Sequence, residues 1–283
     1  MSFVISNDGT RIAFERSGSG PALILVDGAL CSRAFGPTAK LAAALATDFT
    51  VYRYDRRGRG QSGDTQPYSS TREVEDLAAL IDVAGGSASL LGLSSGGALS
   101  LHAAAAGLGV AHVIAYEPPY VEEERSGTFA KGNAAYESEL KRRLASGDRA
   151  GAVTYFMRDM VGAPAFVPIM MRLMPWVWGK LKAVAHTLPY DAAVMTEFRV
   201  PRMRFGSIRC PVLALNGTKT DPRLKAAVRA IAVTVPHAQH AELAGQRHNV
   251  NPGVLASTAV AFLTAATPVG SRATPVTAKG LGA

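Results

Sequence analysis

One stretch constrains this chain more than any other: Leu90-Leu91-Gly92-Leu93-Ser94-Ser95-Gly96-Gly97-Ala98-Leu99-Ser100. An apolar run enters it and a small-residue run leaves it, with Gly-x-Ser-x-Gly between them, a pattern that occurs once here. A strand that turns at once into a helix carries the intervening serine on a sharp bend with its hydroxyl exposed. The bend leaves no room for neighbouring side chains, which is what Gly92 and Gly96 supply. Residues 87–93 are therefore expected as a strand, 95–106 as the helix after it, and Ser94 as the residue between.

The segments around this unit alternate in the same way. Residues 3–16 read as two strands about an Asn7-Asp8-Gly9 turn, since Asp-Gly between apolar alternations is a strong hairpin signal. Ala22-Leu23-Ile24-Leu25-Val26 is a continuous apolar run suited to a strand buried on both faces. Further strands are expected over 49–54, 111–116, 211–216 and 239–243, and helices over 39–48, 71–84, 223–232 and 254–263. Strands and helices in alternation argue for a mostly parallel, doubly wound α/β sheet.

The alternation stops between about residue 120 and residue 205, where the chain reads as helical and rich in Met, Trp and Phe. All seven methionines other than the initiator lie between Met157 and Met203. Methionine adapts to varied apolar partners, so this insertion reads as a helical cap over an apolar pocket. The division expected is a core domain over 1–119 and 206–266, a cap over 120–205, and a disordered tail over 267–283, low in aromatics and rich in Gly, Pro, Thr and Ala.

Composition removes several classes. No stretch approaches the roughly 20 apolar residues of a membrane span, and the N-terminus lacks a secretory layout, so a cytoplasmic protein without membrane association is expected. Two cysteines, Cys31 and Cys210, make no disulfide framework, and no Cys/His spacing implies a metal. The net charge is +8, but the densest basic runs, Arg56-Arg57-Gly58-Arg59 and Lys141-Arg142-Arg143, lack interleaved aromatics. A solvated basic surface is expected, and nucleic acid is not. Gly58, Gly60 and Gly63 fit G-x-G-x-x-G after a strand, but the following Asp64-Thr65-Gln66-Pro67 blocks the helix a dinucleotide site requires.

Four motifs in order make the chain resemble the α/β-hydrolase fold family. They are Asp27-Gly28-Ala29, Asp55-x-Arg57-Gly58-x-Gly60-x-Ser62, Gly92-x-Ser94-x-Gly96 and Gly245-x-x-His248. The resemblance implies an α/β-hydrolase fold with a helical cap insertion and a cofactor-free serine hydrolase. Ser94 would be its nucleophile, and His248, past the last strand, the base. His102, His112, His186, His237 and His240 are worse placed. The orienting acid stays open between Glu117, which is preferred, and Asp221, because Thr220 stands in the family's usual slot.

The resemblance also implies an oxyanion hole from the backbone N–H groups of Ala29 and Ser95. Asp27 replaces the family's common histidine and adds a carboxylate beside the site. Arg57 is read as pinning its own loop to an acid. Asp27, Leu30, Met157, Met160, Met174, Trp176, Trp178 and His186 are the candidate pocket residues. The expected substrate is a small, largely apolar ester, thioester or lactone, and a homodimer is compatible with the sequence. C–C bond hydrolysis, perhydrolysis and polyketide-tailoring lactonase activity would use the same residues. A non-catalytic binder would keep the fold and pocket without the chemistry.

Overall fold

The apolar strand runs form the centre of the molecule. The computed structural model describes residues 2–121 and 133–265, so the expected disordered tail and the first part of the helical insertion lie outside the described residues. Its eight strands are β1 (Ser2–Ile5), β2 (Arg11–Ser17), β3 (Ala22–Val26), β4 (Thr50–Tyr54), β5 (Ala88–Leu93), β6 (Val110–Tyr116), β7 (Val212–Gly217) and β8 (Ala238–Leu243). They form one sheet in the order β1-β2-β4-β3-β5-β6-β7-β8. The β1–β2 and β2–β4 pairings are antiparallel and the others parallel.

Successive strand residues point to opposite faces, so each parallel strand feeds two cores. Ile24, Val26, Leu90, Val113 and Ala214 pack on one side against α2 (Ser70–Val83), α3 (Ser95–Ala105) and α10 (Pro222–Thr234). Leu23, Leu25, Leu91, Ile114 and Leu215 pack on the other against α1 (Thr38–Leu45) and α11 (Pro252–Thr264). Every residue of β5 is buried, as are nine of the eleven in α3. The serine unit is thus the interior of the fold rather than a surface decoration.

Between β6 and β7 the described chain is helical: α4 (Asn133–Ala145), α5 (Arg149–Tyr155), a π-turn (Phe156–Met160), α6 (Phe166–Arg172), α7 (Pro175–Ala183), α8 (Leu188–Val194) and α9 (Arg202–Phe205). It has its own apolar cluster, containing Tyr136, Leu140, Val153, Trp178 and Leu181. Its far end is continuous with the sheet's core, where Val194, Met195, Val200 and Phe205 are buried. Among the described residues, no helix is long and apolar enough to cross a membrane.

The Arg56–Arg59 run corrects the expectation of a solvated basic surface. Arg56, Arg57 and Arg59 are each about 1% exposed. A charge leaves water only when it is paired and hydrogen-bonded, and every one of these is. Arg56 meets Glu73 in two bonds of 2.6 and 2.7 Å and Asp191 in one of 2.7 Å. Arg57 meets Asp76 at 2.9 and 2.7 Å and Asp8 at 2.8 Å, the loop-pinning role expected of it. Arg59 meets both oxygens of Asp191. The Lys141–Arg143 run does stay on the surface, facing Glu137 and Glu139 one turn away.

The glycines of the G-x-G-x-x-G run serve the same loop. Gly60, at φ 53°, folds against the Asp55 carboxylate with no space for a Cβ, while Asp55 takes hydrogen bonds from the Arg33 and Gln61 backbone N–H groups. The next helix starts only at Ser70. Replacing Arg57 with Leu would strand the Asp76 carboxylate inside the protein. We expect a loss of about 3–5 kcal/mol in urea unfolding; a loss under about 1 kcal/mol would contradict this reading of the loop.

Candidate active site

Strand β5 delivers Ser94 at φ 55°, ψ −125°, a backbone conformation that few non-glycine residues hold. Added Cβ atoms show what permits it: at Gly92 one would strike the Gly96 backbone, and at Gly96 one would strike the Val26 and Asp27 carbonyls. The bend is closed by hydrogen bonds from Ser94 N to Tyr116 O at 2.8 Å and from Gly97 N to Ser94 O at 2.9 Å. Helix α3 then begins directly behind the serine.

Glu117 leaves β6 at φ 49° with no side-chain exposure. Its Oε1 accepts the Gly217 N–H at 2.8 Å and the Thr220 hydroxyl, and its Oε2 lies 2.8 Å from His248 Nδ1. An ionised carboxylate only accepts, so Nδ1 carries the ring proton and Nε2 of a neutral ring is left as acceptor. Burial opposes the charge on Glu117, but the bonds from His248, Gly217 and Thr220 outweigh it and hold the carboxyl below its ordinary pKa. Thr220, which stands in the family's usual acid position, is instead a donor to the acid.

Asp221 has other partners. It caps α10 by accepting the Arg223 N–H at 2.9 Å, and it pairs with the Arg223 guanidinium at 2.9 and 2.6 Å on the surface. Of the two acids the sequence left open, the one in contact with His248 is Glu117.

Ser94, Ser95, Ala29, His248, Thr220 and Asp221 all face one cavity of about 300 Å³. Its remaining walls are mostly apolar. The insertion contributes Phe156, Met160, Val161, Met195 and Phe198. Most of the expected pocket residues lie elsewhere, and only Met160 among them lines this cavity. Leu30, Met157 and Trp178 are buried in the insertion's own cluster, which needs large apolar groups to hold short helices together. Met174 and Trp176 are 41% and 64% exposed, Trp176 standing edge-on to Phe35. His186 stands 3.7 Å from Asp64. Methionine density marks the segment but not which helix face looks inward; Phe156, Val161, Met195 and Phe198 carry no signal that separates them from their neighbours. Among the described residues, no cluster of three or more His, Cys, Asp and Glu could hold a metal.

Asp27 is also placed differently from expectation. It is buried at the end of β3 and does not line the cavity; Oδ2 accepts the Thr38 hydroxyl at 2.7 Å, and Oδ1 has no partner among the described residues. Burial pushes its pKa from 3.8 up to about 6, with the Thr38 bond and Arg59, Arg53 and Arg56 pulling the other way. The folded protein therefore holds this proton more tightly than the unfolded chain, and stability falls as pH rises from about 4 to about 6. Asp27→Asn should be more stable than the wild type at pH 7.5, by about 1–3 kcal/mol, and should lose that advantage near pH 4. Equal stabilities across that range, measured by urea unfolding, would contradict the burial argument.

Comparison with known proteins bears on the fold and the family. The alpha/beta hydrolase family model matches residues 19–258. An alpha/beta hydrolase from Sphaerobacter thermophilus shares 47% identity, with 93% of this chain and 100% of that one covered and a TM-score of 0.85. An enol-lactonase from Burkholderia xenovorans (20% identity, coverage 93% and 100%, TM-score 0.69) and the esterase RhEst1 from Rhodococcus (22%, coverage 93% and 98%, TM-score 0.66) share the fold. A search of curated proteins finds no match. On the family match, the 47% relative and the sheet itself, the chain belongs to the alpha/beta hydrolase family.

Proposed function

We propose that this hydrolase is a serine esterase in the broad sense, cleaving an ester, thioester or lactone with a substantial apolar part through an acyl-enzyme on Ser94. The observation that carries the reading is that Ser94 and a His248 bound through Nδ1 to buried Glu117 open onto one largely apolar cavity. A serine hydroxyl is a weak nucleophile at neutral pH and needs an adjacent base oriented by a third group.

In this mechanism Ser94 Oγ attacks the acyl carbon while His248 Nε2 takes its proton. The negative charge forming on the carbonyl oxygen is met by the N–H groups of Ala29 and Ser95, each such donor worth roughly 3–4 kcal/mol. The imidazolium, stabilised by Glu117, returns the proton to the departing alkoxide or thiolate. Water then attacks the acyl-enzyme with His248 again as base, releasing the acid and restoring Ser94. Phe156, Met160, Val161, Met195 and Phe198 receive the apolar part of the substrate, and the helical insertion acts as its lid.

Steady-state hydrolysis of p-nitrophenyl esters of rising acyl length tests the substrate side. kcat/KM should climb by up to about fourfold per methylene until the cavity is filled, and Ser94→Ala should abolish turnover; indifference to acyl length would remove the insertion as a substrate wall. The same assay tests the acid. Glu117→Gln should lower kcat by about a thousandfold or more, while Asp221→Asn should stay within about threefold of wild type. The reverse ranking would transfer the role to Asp221.

A further inference from the structure

A trans peptide holds its N–H opposite its C=O, so whatever grips the Gly28 carbonyl also aims the Ala29 N–H. That grip is Arg59. Its Nη1 donates to Gly28 O at 2.6 Å, its Nη2 to both oxygens of Asp191 at 2.9 and 2.7 Å, and its Nε to the Thr187 hydroxyl at 3.2 Å. The peptide needs such a hold, because the chain goes straight from Ala29 into a left-handed turn at Leu30, φ 61°.

Ser95, which offers the second N–H, is tied to the same carboxylate through its hydroxyl. Ser95 Oγ donates to Asp191 Oδ1 at 2.7 Å, and Arg56 Nη1 reaches Asp191 Oδ1 at 2.7 Å and both Ser95 Oγ and Asp27 O at 3.3 Å. Asp191 is 3% exposed. Burial opposes its charge, but Arg59 and Arg56 outweigh burial and keep it ionised. It belongs to α8 and lines the cavity together with Ala192 and Met195. Arg57 offers a contrast. It is equally buried and equally paired, yet its partners Asp8, Asp76 and the Arg72 carbonyl are all away from the cavity.

We propose that Arg59 and Asp191 are positioning residues that lock the Gly28–Ala29 peptide and the start of α3 with their N–H groups aimed into the cavity, so that the oxyanion hole is complete only when α8 of the insertion is seated. This rests on the serine-hydrolase reading above. The lid and the electrophilic site are then one unit, and displacing α8 disarms the site without moving Ser94 or His248.

The test is kinetics on p-nitrophenyl butyrate with thermal melts of the same samples. In Arg59→Lys a single ammonium replaces the planar fork that spans Gly28 O and both Asp191 oxygens. kcat should fall about 10–100-fold with KM within about threefold, against the 10²–10³ lost when an oxyanion donor is removed outright. Ser95→Ala keeps its N–H and cuts the hydroxyl's links to Asp191 and Arg56; kcat should fall about 3–10-fold at unchanged KM. Asp8→Asn, which loosens the Arg57 network instead, should keep wild-type kcat. A folded Arg59→Lys with wild-type kcat, or a loss carried by KM, overturns the proposal, and where Arg59→Lys does not fold, an undiminished kcat in Ser95→Ala overturns it. Activity that survives in Ser94→Ala would instead overturn the serine-nucleophile reading beneath it.

Discussion

The backbone at Ser94 is the constraint on which the rest of the structure depends. A non-glycine residue at φ 55°, ψ −125° is strained and persists only where its surroundings over-determine it. The surroundings here are the missing Cβ atoms of Gly92 and Gly96, the Tyr116 carbonyl and a fully buried strand and helix. A Cβ at Gly96 would strike the Val26 and Asp27 carbonyls, and one at Gly28 would come within 3.0 Å of the Leu93 carbonyl and 3.1 Å of the Ser94 Cβ. The end of β3 is thereby fixed against the bend. The ends of β6 and β7 follow through Glu117, whose carboxylate takes the Gly217 N–H and holds His248.

Charge is the second organising force, and it works from inside. The chain is basic, yet its most concentrated run of arginines is internal, shared among Asp8, Glu73, Asp76 and Asp191. Buried ion pairs of this kind add little net stability, because desolvation offsets their attraction, but removing one partner is severe. Their contribution is geometric. Arg56 and Arg59 join carbonyls next to the serine bend to a helix that arrives more than 90 residues later, a link that apolar packing alone would leave free to slide.

Much of the fold was legible because it rests on local signals. Leu23–Val26 and residues 88–93 are apolar on both faces, Asp8-Gly9 turns the hairpin, and the glycines about Ser94 announce the bend. Glu117 was legible as one of two acids, but nothing local distinguishes it from Asp221. The difference lies in a contact 131 residues away and in Asp221's engagement as a helix cap. The buried arginines read as a solvated surface because their acid partners lie 17 to 135 residues away, and a charge run carries no local sign of being paired. An acid within Leu188-Pro189-Tyr190-Asp191-Ala192-Ala193-Val194 was the one available hint, since an apolar helix admits a carboxylate only when something meets it. The pocket walls were the least legible, because short irregular helices do not impose one face on their apolar residues.

Covalent trapping reads most directly the proposed role of Ser94 as a nucleophile activated by His248. The protein should be treated with a fluorophosphonate, digested, and the modified peptide sequenced by mass spectrometry, with Ser94→Ala and His248→Ala alongside. A single stoichiometric phosphonylation at Ser94 is expected, absent from Ser94→Ala and slowed by orders of magnitude in His248→Ala. No adduct on the folded wild-type protein, or an adduct on another residue that persists in Ser94→Ala, would contradict it.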